Sequence, residues 1–442
     1  MKRPRQPSAK SQAVPPQPAE PQFVQIEKPV YGGSFLALVE GRAVFVPLAL
    51  PGEQARVRLV QSRSDYSTAE AEEIVSPSLD RVPPACPHFG VCGGCHYQHA
   101  DYAVQLGWKK TILRETLERG GIEVLEIIDV LSANPWAYRN RIRLAFDAAG
   151  NPGYRGRRSH AVIPIGECPI AAPLLVRTAL TYAEIARKSA PALRPTELAL
   201  FCNADETALL ATLFVTTPAK AHFVRLAQAL HEQIPALIGA ELVIEGRAGQ
   251  PQRSLAQWGA VSLSYSAAGF DYRVDHGSFF QVNRWLVNAL VDRVTSAQTG
   301  TLAWDLFAGV GLFARKLTGA FERVLAVESA PSATAALAHN LRGTGAKAVT
   351  AETLAFLSHV RQGQHPDLIV ADPPRTGLGA ETTTLLAKIA APALTCVSCD
   401  PATLSRDLRA LLASGYTIES IALADLFPQT FHLETVVRLR HC

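Results

Sequence analysis

Long apolar runs are absent from this sequence of 442 residues. No stretch reaches the roughly 18 uninterrupted apolar residues that a membrane-spanning helix needs, so we expect no membrane partner. No apolar run follows the basic N-terminal segment MKRPRQPSAK, which argues against a secretory signal peptide. With 48% hydrophobic and 19% charged residues, the composition excludes a collagen, a coiled coil and a largely disordered chain.

Cysteine and net charge are both scarce. Eight cysteines are too few for a disulfide scaffold in a chain of this length. Their clustering, together with the missing signal peptide, predicts thiolate chemistry in a reducing cytoplasm. The net charge of +4 is too small to indicate a nucleic-acid partner by itself. Function therefore has to be inferred from motifs.

The sequence pattern changes several times along the chain, whose length suggests about three domains. Residues 1–22 are basic and rich in proline, which predicts a disordered tail. Short β-like runs separated by Gly-Gly and Pro-Gly turns predict a small β-barrel over 23–80. A mixed segment extends to about residue 275. From about residue 276, strands alternate with helices, which predicts a doubly wound, mostly parallel α/β sheet.

Three cysteines lie within ten residues, at Cys86, Cys92 and Cys95. Two glycines separate the last two and allow the backbone to fold tightly, so that the thiolates converge. Cys168, much further along the chain, is a candidate fourth ligand. Four thiolates suit either a structural zinc ion or an iron–sulfur cluster, and the spacing alone does not choose between them.

A glycine-rich loop, DLFAGVGLF, follows a predicted strand and precedes a predicted helix. Gly309 and Gly311 allow a tight turn and the close approach of a ligand to the backbone. Glu328 ends the next predicted strand, where a carboxylate can bind both hydroxyls of a ribose. No third glycine follows at dinucleotide spacing, so S-adenosylmethionine fits better than NAD.

Three further residues are expected at the carboxyl edge of the predicted sheet. Asp372, in DPPR, and Cys399, in SCDP, each close a predicted strand and should therefore lie at the same edge. A helix N-terminus at this edge can lower the pKa of the Cys399 thiol, although the motif alone leaves an inert thiol equally open, and Cys396 is expected to be a buried core thiol. Glu434 interrupts the apolar run FHLETVVRL, as either a satisfied buried acid or a catalytic base with a raised pKa.

Basic residues are concentrated in one short part of the central segment. Six arginines occur within twenty residues, at Arg139, Arg141, Arg143, Arg155, Arg157 and Arg158. They are expected either to contact RNA phosphates or to share a solvated strand face.

Taken together, these segments resemble the RNA 5-methyluridine methyltransferase family, in particular its iron–sulfur branch that modifies 23S ribosomal RNA. From residue 23 to 442 the expected order holds for CPHFGVCGGCHYQH, FFQVN, DLFAGVG, ADPPRTGL, SCDPATLSRDL and FPQTFHLETVVRL. The resemblance implies an α/β protein: an OB-like TRAM barrel, a central α+β domain with a [4Fe-4S] cluster that also binds RNA, and a Rossmann-like methyltransferase domain. The implied ranges are 1–22 for the tail, 23–80 for the barrel, 81–100 with 131–275 for the central domain, and 101–130 with 276–442 for the methyltransferase domain.

The same resemblance implies roles for individual residues. The cluster ligands would be Cys86, Cys92, Cys95 and Cys168, which favours iron–sulfur over zinc. The residues that line the S-adenosylmethionine site, including the two loop glycines, would be Gln281, Phe307, Gly309, Gly311, Glu328 and Asp372. Another cofactor contact is expected at Glu352 or Thr353. Cys399 would be the nucleophile and Glu434 the base.

The implied reaction is methylation of carbon 5 of a uridine in RNA, with S-adenosylmethionine as donor, through a covalent cysteine–uracil adduct. The expected partner is 23S ribosomal RNA, with transfer RNA as the alternative substrate, and the chain is expected to be a cytoplasmic monomer. A competing interpretation is a radical methylthiolating enzyme. Such an enzyme would need a Cys-x3-Cys-x2-Cys motif, which this sequence lacks. An RNA-binding module with a degenerate catalytic domain is disfavoured because the expected site residues are all present.

Overall fold

The computed structural model describes residues 21–189, 193–217, 220–246, 252–360 and 365–441. The chain divides into two compact units, Met1–Arg81 and Val82–Cys442. Of the expected tail, residues 1–20 lie outside the described residues, and Gln22 already belongs to the first strand. Within the described ranges, no helix is both long and apolar enough to cross a membrane.

The first unit is a closed barrel with the strand order β1-β2-β3-β5-β4. Its strands are β1 (Gln22–Val30), β2 (Ser34–Val39), β3 (Arg42–Pro47), β4 (Gln54–Ser62) and β5 (Tyr66–Ser76). Alternate residues such as Val24, Ile26 and Phe35 are buried inside it, as the period of a strand requires. The buried carboxylate of Glu53 accepts a hydrogen bond of 2.6 Å from Arg81 Nε. The small barrel expected from the sequence is confirmed.

A long helix and a short strand open the second unit. They are α1 (Tyr102–Arg119) and β6 (Asp129–Leu131). The helix begins at Asp101, whose carboxylate accepts a hydrogen bond from the amide of Ala103, and it ends at Gly120.

A seven-stranded sheet follows, with the order β13-β12-β11-β10-β7-β8-β9. Its elements are β7 (Arg141–Phe146), β8 (Pro152–Arg155), β9 (Val162–Pro164), α2 (Pro173–Ser189), β10 (Glu197–Cys202), β11 (Leu209–Val215), α3 (Lys220–Gln233), β12 (Leu237–Ile244) and β13 (Arg253–Gly259). Leu198, Leu200 and Leu213 pack in one core with residues of α2 and α3. Neighbouring residues of a strand point to opposite faces, so Leu198 and Leu200 share one face of β10. The helices therefore pack against that face of the sheet. A separate hairpin comprises β14 (Ser262–Ala267) and β15 (Phe270–Asp275).

The last part of the chain builds an eight-stranded sheet with the order β18-β17-β16-β19-β20-β22-β21-β6. Its elements are α4 (Val287–Thr295), β16 (Gly300–Leu306), α5 (Leu312–Leu317), β17 (Phe321–Glu328), α6 (Pro331–Asn340), β18 (Ala346–Thr350), α7 (Thr353–Ser358), β19 (Leu368–Ala371), α8 (Gly379–Ile389), β20 (Ala393–Ser398), α9 (Pro401–Leu412), β21 (Tyr416–Ala424) and β22 (Glu434–His441).

The strands from β16 to β20 pair in parallel, and β22 runs antiparallel to both β20 and β21. All residues of β19 and β20 are buried, as expected for parallel strands covered on both faces. The short strand β6 pairs with β21, and α1 packs against α9, so the segment before the seven-stranded sheet also belongs to this layer. The doubly wound α/β sheet expected from the sequence is confirmed.

Candidate active site

The order of the strands changes direction between β16 and β19, which creates a crevice at their carboxyl ends. Phe307 follows β16 and Asp372 follows β19, so both lie at this crevice. The loop after β16 contains Gly309 at φ 56° and Gly311 at φ 91°. A Cβ atom at Gly309 would meet nothing within 4 Å, whereas one at Gly311 would lie 2.8 Å from Leu337. Gly309 therefore leaves open space for a ligand, and Gly311 permits close packing.

The carboxylate of Glu328 is already engaged by the backbone around it. Its Oε2 accepts a hydrogen bond from Gly309 N at 2.8 Å, and its Oε1 accepts bonds from Ser329 N and Ala330 N, both at 2.7 Å. A carboxylate offers about four acceptor positions, so about one remains for a ribose hydroxyl. The sequence suggested two such contacts.

Two carboxyl groups lie at the crevice, with Asp305 fully buried and Asp372 slightly exposed. Burial raises the pKa of Asp305 to about 8, and the charges of Asp372 and Glu328 add to the shift. Burial also raises the pKa of Asp372 to about 7. Within the described part of the chain, Asp305 Oδ1 has no hydrogen-bond partner, and Gln281 Nε2 lies 3.5 Å from Asp372 Oδ2. Because a cation stabilises such groups in their ionised form, this edge fits the positively charged S-adenosylmethionine.

The other expected cofactor contacts differ in backbone conformation and exposure. Phe307 has a φ of 62°, an uncommon conformation for a residue with a side chain. Leu312, which follows the second loop glycine, packs its side chain in the core. Glu352 is exposed and Thr353 is buried, and both follow β18 at the same edge of the sheet.

Cys399 directly follows strand β20, and Glu434 is the first residue of the neighbouring strand β22. Ser398, the last residue of β20, pairs with Thr435 in β22, so Cys399 and Glu434 come to the same end of this strand pair. Burial raises the pKa of the Glu434 carboxyl well above its usual value, the charge of Asp372 adds to this, and Arg375 opposes it.

The pKa of the Cys399 thiol is raised to about 11, first by burial and then by the charge of Glu434, while Arg375 opposes the shift. The expectation that the following helix lowers this pKa is therefore wrong for the protein alone. The amides of Ala402 and Thr403 at the start of α9 instead donate to the carboxylate of Asp400, at 3.0 and 2.9 Å. Those donors are consequently not directed at the sulfur.

Cys396 is buried within β20, opposite Val437, as expected for a core thiol.

A buried ion pair supports the segment that leads into Glu434. Lys109 Nζ donates to Asp425 Oδ1 at 2.6 Å, and neither side chain is exposed. Tyr102 donates to the other oxygen of Asp425 at 2.9 Å. The sequence reasoning missed this pair, although a lysine on the apolar face of α1, one turn before Ile112, was a usable signal.

Two glutamines join α1 to the same segment. Gln105 Nε2 donates to Gln429 Oε1 at 2.9 Å, and Gln429 N donates back to Gln105 Oε1 at 3.2 Å. The amides of His96 and Tyr97 donate to the carbonyl of Gln429 at 2.8 and 3.1 Å. The segment that carries three of the four clustered cysteines therefore contacts the loop before Glu434 directly.

The four expected cluster ligands, Cys86, Cys92, Cys95 and Cys168, line one cavity of about 40 Å³. Their sulfurs accept hydrogen bonds from nearby groups, including Gly94 N to Cys92 Sγ at 3.4 Å. Among the described residues, however, no group of three or more His, Cys, Asp or Glu side chains is arranged to hold a metal ion. The described residues therefore show no preformed metal site at these four cysteines, for either a zinc ion or an iron–sulfur cluster.

The two arginines of β7 and Arg139, two residues before the strand, lie in different surroundings. Arg139 lines the cysteine cavity and donates to the hydroxyl of Tyr138 at 3.3 Å. Arg143 forms an ion pair with Glu197, whereas Arg141 stacks on an aromatic ring. These three arginines therefore do not form one uniform basic patch.

Comparison with known proteins agrees with this geometry. Residues 357–442 match the family model described as tRNA (Uracil-5-)-methyltransferase. The 23S rRNA (uracil(1939)-C(5))-methyltransferase RlmD of Enterobacter sp. strain 638 is 31% identical, over 92% of this chain and 93% of the relative. The protein of the same name from Chromohalobacter salexigens is 33% identical, over 90% of this chain and 85% of the relative.

A solved structure supports the fold. The Pyrococcus abyssi tRNA (uracil-54, C5)-methyltransferase, in complex with S-adenosyl-L-homocysteine, has a TM-score of 0.74 and 22% identity, and the match covers 95% of this chain and 100% of that one. Fold and site thus define a Rossmann-like S-adenosylmethionine-dependent methyltransferase. The chain belongs to the RNA uracil-5-methyltransferase family, and it is an enzyme that methylates carbon 5 of uracil in RNA.

The charges around Cys399 predict how its thiol titrates without RNA. The rate of Cys399 alkylation by iodoacetamide, followed by mass spectrometry, should rise with pH towards a pKa of about 11. The charge of Glu434 raises the thiol pKa, so Glu434→Gln should lower it. Arg375→Ala should raise it, because the positive charge that favours the thiolate is lost.

Glu419→Gln is the matched control, since Glu419 is a surface acid of β21 paired with Arg440. If Glu434→Gln changes the thiol pKa no more than this control does, the electrostatic contact between Glu434 and Cys399 is absent.

Proposed function

We propose that this enzyme methylates a specific uridine of 23S ribosomal RNA through a covalent adduct with Cys399. The observation that carries the mechanism is the position of Cys399 and Glu434 at one end of two paired strands, beside Asp372. The two RlmD relatives support 23S RNA as the substrate. Transfer RNA is the second candidate, because the similar Pyrococcus abyssi enzyme is a tRNA methyltransferase.

In the proposed first step, Cys399 makes carbon 5 of uracil nucleophilic. The thiol gives its proton to solvent water, and the charge of Arg375 favours the resulting thiolate. Attack of the thiolate on carbon 6 forms a carbon–sulfur bond and moves the electrons of the ring double bond towards carbon 5 and the neighbouring carbonyl. S-adenosylmethionine supplies the methyl group that carbon 5 receives.

In the second step, Glu434 removes the remaining proton from carbon 5. The electron pair of that bond re-forms the ring double bond, and Cys399 leaves as the thiolate. The raised pKa of Glu434 suits a group that accepts this proton. Asp372, whose pKa is about 7, can hold the uracil ring as a donor or an acceptor near neutral pH. The target base has to be turned out of its RNA structure to reach this site.

Gln281, Phe307, Gly309, Gly311, Glu328 and Asp372 are assigned to the S-adenosylmethionine site. The open space at Gly309 and the unpartnered Asp305 Oδ1, within the described residues, support this assignment. The remaining cofactor contact is assigned to the start of α7, at Glu352 or Thr353.

We assign a [4Fe-4S] cluster to Cys86, Cys92, Cys95 and Cys168. In such a cluster each thiolate binds a different iron, so the sulfurs surround a volume and do not meet at one ion. The shared cavity and the hydrogen bonds to the sulfurs support this assignment. The cluster would join the segment before α1 to the loop after β9, and it would thereby hold the loop before Glu434 through His96 and Tyr97.

The domain ranges inferred from the sequence are retained as part of this proposal: 23–80 for the TRAM barrel, 81–100 with 131–275 for the RNA-binding iron–sulfur domain, and 101–130 with 276–442 for the methyltransferase domain. The pairing of β6 with β21 supports the interleaved assignment. We propose that the enzyme acts as a monomer in the cytoplasm, where its ribosomal substrate and reduced cysteines would be found together.

The cluster assignment predicts the iron content. Protein purified without oxygen should be brown and contain about four irons per chain. Cys168→Ser should lower the iron content and the visible absorbance, while Cys202→Ser, which changes a buried thiol outside the cysteine cavity, should leave both unchanged. One zinc per chain without visible absorbance, in protein prepared without oxygen, would exclude the assignment.

The substrate proposal predicts which RNA is methylated. The wild-type enzyme should transfer a methyl group to an unmodified 23S RNA transcript in preference to unmodified transfer RNA. Cys399→Ala should abolish transfer but still bind S-adenosylmethionine, because the residues assigned to that ligand remain. Cys396→Ala is the matched control and should retain activity.

Sequencing-based mapping of 5-methyluridine should then find a methylated position in the 23S transcript. Preferential methylation of transfer RNA would favour the second candidate substrate, and methylation of carbon 5 by Cys399→Ala would refute the adduct mechanism.

A further inference from the structure

A histidine lies two residues before Glu434, on the turn that leads into β22. The imidazole of His432 is half-buried, and its ring centroid lies 4.3 Å from that of Phe431. The ring of Phe427 meets the imidazole edge-on at 5.6 Å. The backbone amide of His432 also donates to Thr430 Oγ1 at 3.3 Å. The imidazole is therefore held in place by contacts within the turn itself.

The Nδ1 atom of His432 contacts the guanidinium of Arg375, with 3.3 Å between Nδ1 and Nη2. A guanidinium has only donors, so Nδ1 accepts this hydrogen bond and the proton of the neutral imidazole is on Nε2. Burial, followed by the charge of Arg375, lowers the pKa of the imidazole to about 3. The other positive or titratable groups that face it are His96, Arg139 and Lys109. The ring is consequently neutral near pH 7 and can accept the bond.

The backbone of Arg375 is fixed separately, by the helix that follows Cys399. Thr403 Oγ1, in the first turn of α9, donates to the carbonyl of Arg375 at 3.3 Å. Arg406 Nη2, one turn further along α9, donates to the next carbonyl, that of Thr376, at 2.8 Å. The backbone position of Arg375 is thus set, and the direction of its long side chain depends on what the guanidinium contacts.

The charge of Arg375 acts on both groups to which the reaction is assigned. It favours the thiolate of Cys399 and the carboxylate of Glu434. The residue is nevertheless exposed, and in the described part of the chain no carboxylate forms an ion pair with it. An exposed arginine side chain without a partner samples several rotamers, which would spread its charge over a wider volume. The acceptor on His432 restricts the guanidinium to one direction.

The order of the strands places this hydrogen bond next to the nucleophile. β20 lies between β19 and β22 in the sheet. Arg375 follows β19, and His432 precedes the antiparallel strand β22, so both lie at the edge where Cys399 follows β20. The contact between Arg375 and His432 therefore bridges the end of β20.

We propose that His432 is a positioning residue, whose Nδ1 holds the guanidinium of Arg375 beside Cys399 and Glu434. His432 acts through Arg375 and does not itself exchange a proton in the reaction. The inference rests on the proposed function, because the roles of Cys399 and Glu434 are assigned there.

Alkylation of Cys399 by iodoacetamide, measured by mass spectrometry on the full-length protein without RNA, tests the proposal. His432→Leu keeps an apolar side chain beside the two phenylalanines but removes the acceptor. At a fixed pH of about 8.5 it should slow alkylation about threefold, which corresponds to a thiol pKa about 0.5 higher. The difference from the wild type should shrink in high salt, because the charge of the exposed Arg375 is then screened.

A double variant separates positioning from packing. Arg375→Ala alone should slow alkylation at least as much as His432→Leu does. Adding His432→Leu to Arg375→Ala should cause no further decrease, because the two changes remove the same interaction. Independent effects that multiply in the double variant would overturn the proposal, since His432 would then act on the thiol without Arg375.

His432→Asn is the rescue variant, because its Oδ1 can accept from Arg375 as Nδ1 does. It should restore most of the wild-type alkylation rate. Should His432→Leu fail to fold, His432→Gln replaces it, because the longer side chain moves the amide away from the position of Nδ1. Slow alkylation of His432→Gln beside fast alkylation of His432→Asn would support the proposal, and equal rates would contradict it.

His441→Leu is the matched control. His441 is a half-buried histidine in ring contact with Tyr416, at the far end of β22 from Glu434. Its replacement should leave the alkylation rate of Cys399 unchanged. An equal loss of rate in His441→Leu and His432→Leu would overturn the proposal.

The positioning role and the adduct mechanism can fail separately. With unmodified 23S RNA, His432→Leu should lower kcat and leave the KM for S-adenosylmethionine unchanged. Slower alkylation of Cys399 in His432→Leu, in an enzyme whose Cys399→Ala variant still methylates carbon 5, would support positioning and refute the adduct mechanism. Unchanged alkylation in His432→Leu, with a covalent RNA adduct at Cys399, would refute positioning and leave the mechanism intact.

Discussion

The buried ion pair between Lys109 and Asp425 is the contact on which the arrangement of the site depends. It joins α1 to the segment after β21, and that segment continues into Glu434 at the start of β22. Both side chains are fully buried, so removing one partner would leave an uncompensated charge, at a cost of about 3–5 kcal/mol. The reciprocal hydrogen bonds between Gln105 and Gln429 fix the same junction. The position of Glu434 is thus determined by a helix more than 300 residues away in the sequence.

A concentration of acidic groups governs the chemistry at the sheet edge. The charge of Asp372 adds to the burial that raises the pKa of both Asp305 and Glu434, and Glu434 in turn raises the pKa of the Cys399 thiol. Arg375 is the charge that favours both the carboxylate of Glu434 and the thiolate of Cys399. Such an edge is poised to accept a cationic methyl donor, and its ionisation responds directly to what binds there.

Much of the fold was predictable because it depends on local patterns. Strand alternation revealed the barrel, and buried apolar strands ending in Asp372 and Cys399 revealed the parallel sheet and its reactive edge. Contacts between residues distant in sequence were not predictable, and the pair of Lys109 and Asp425 is the clearest example. The pKa of the Cys399 thiol was mispredicted because burial and the charge of Glu434 raise it, while Asp400 accepts hydrogen bonds from the helix amides. The free acceptor positions of Glu328 were overcounted because backbone amides occupy most of them.

The central claim is that Cys399 adds to the uracil ring and Glu434 releases it, and the product formed by Glu434→Gln tests this most directly. This variant is incubated with unmodified 23S RNA and S-adenosylmethionine carrying a labelled methyl group, and the mixture is separated on a denaturing gel. The account predicts a covalent protein–RNA band that contains the label, because methyl transfer occurs but proton removal is slowed about 10²–10⁴-fold. Labelled RNA released at the wild-type rate, with no such band, would contradict it.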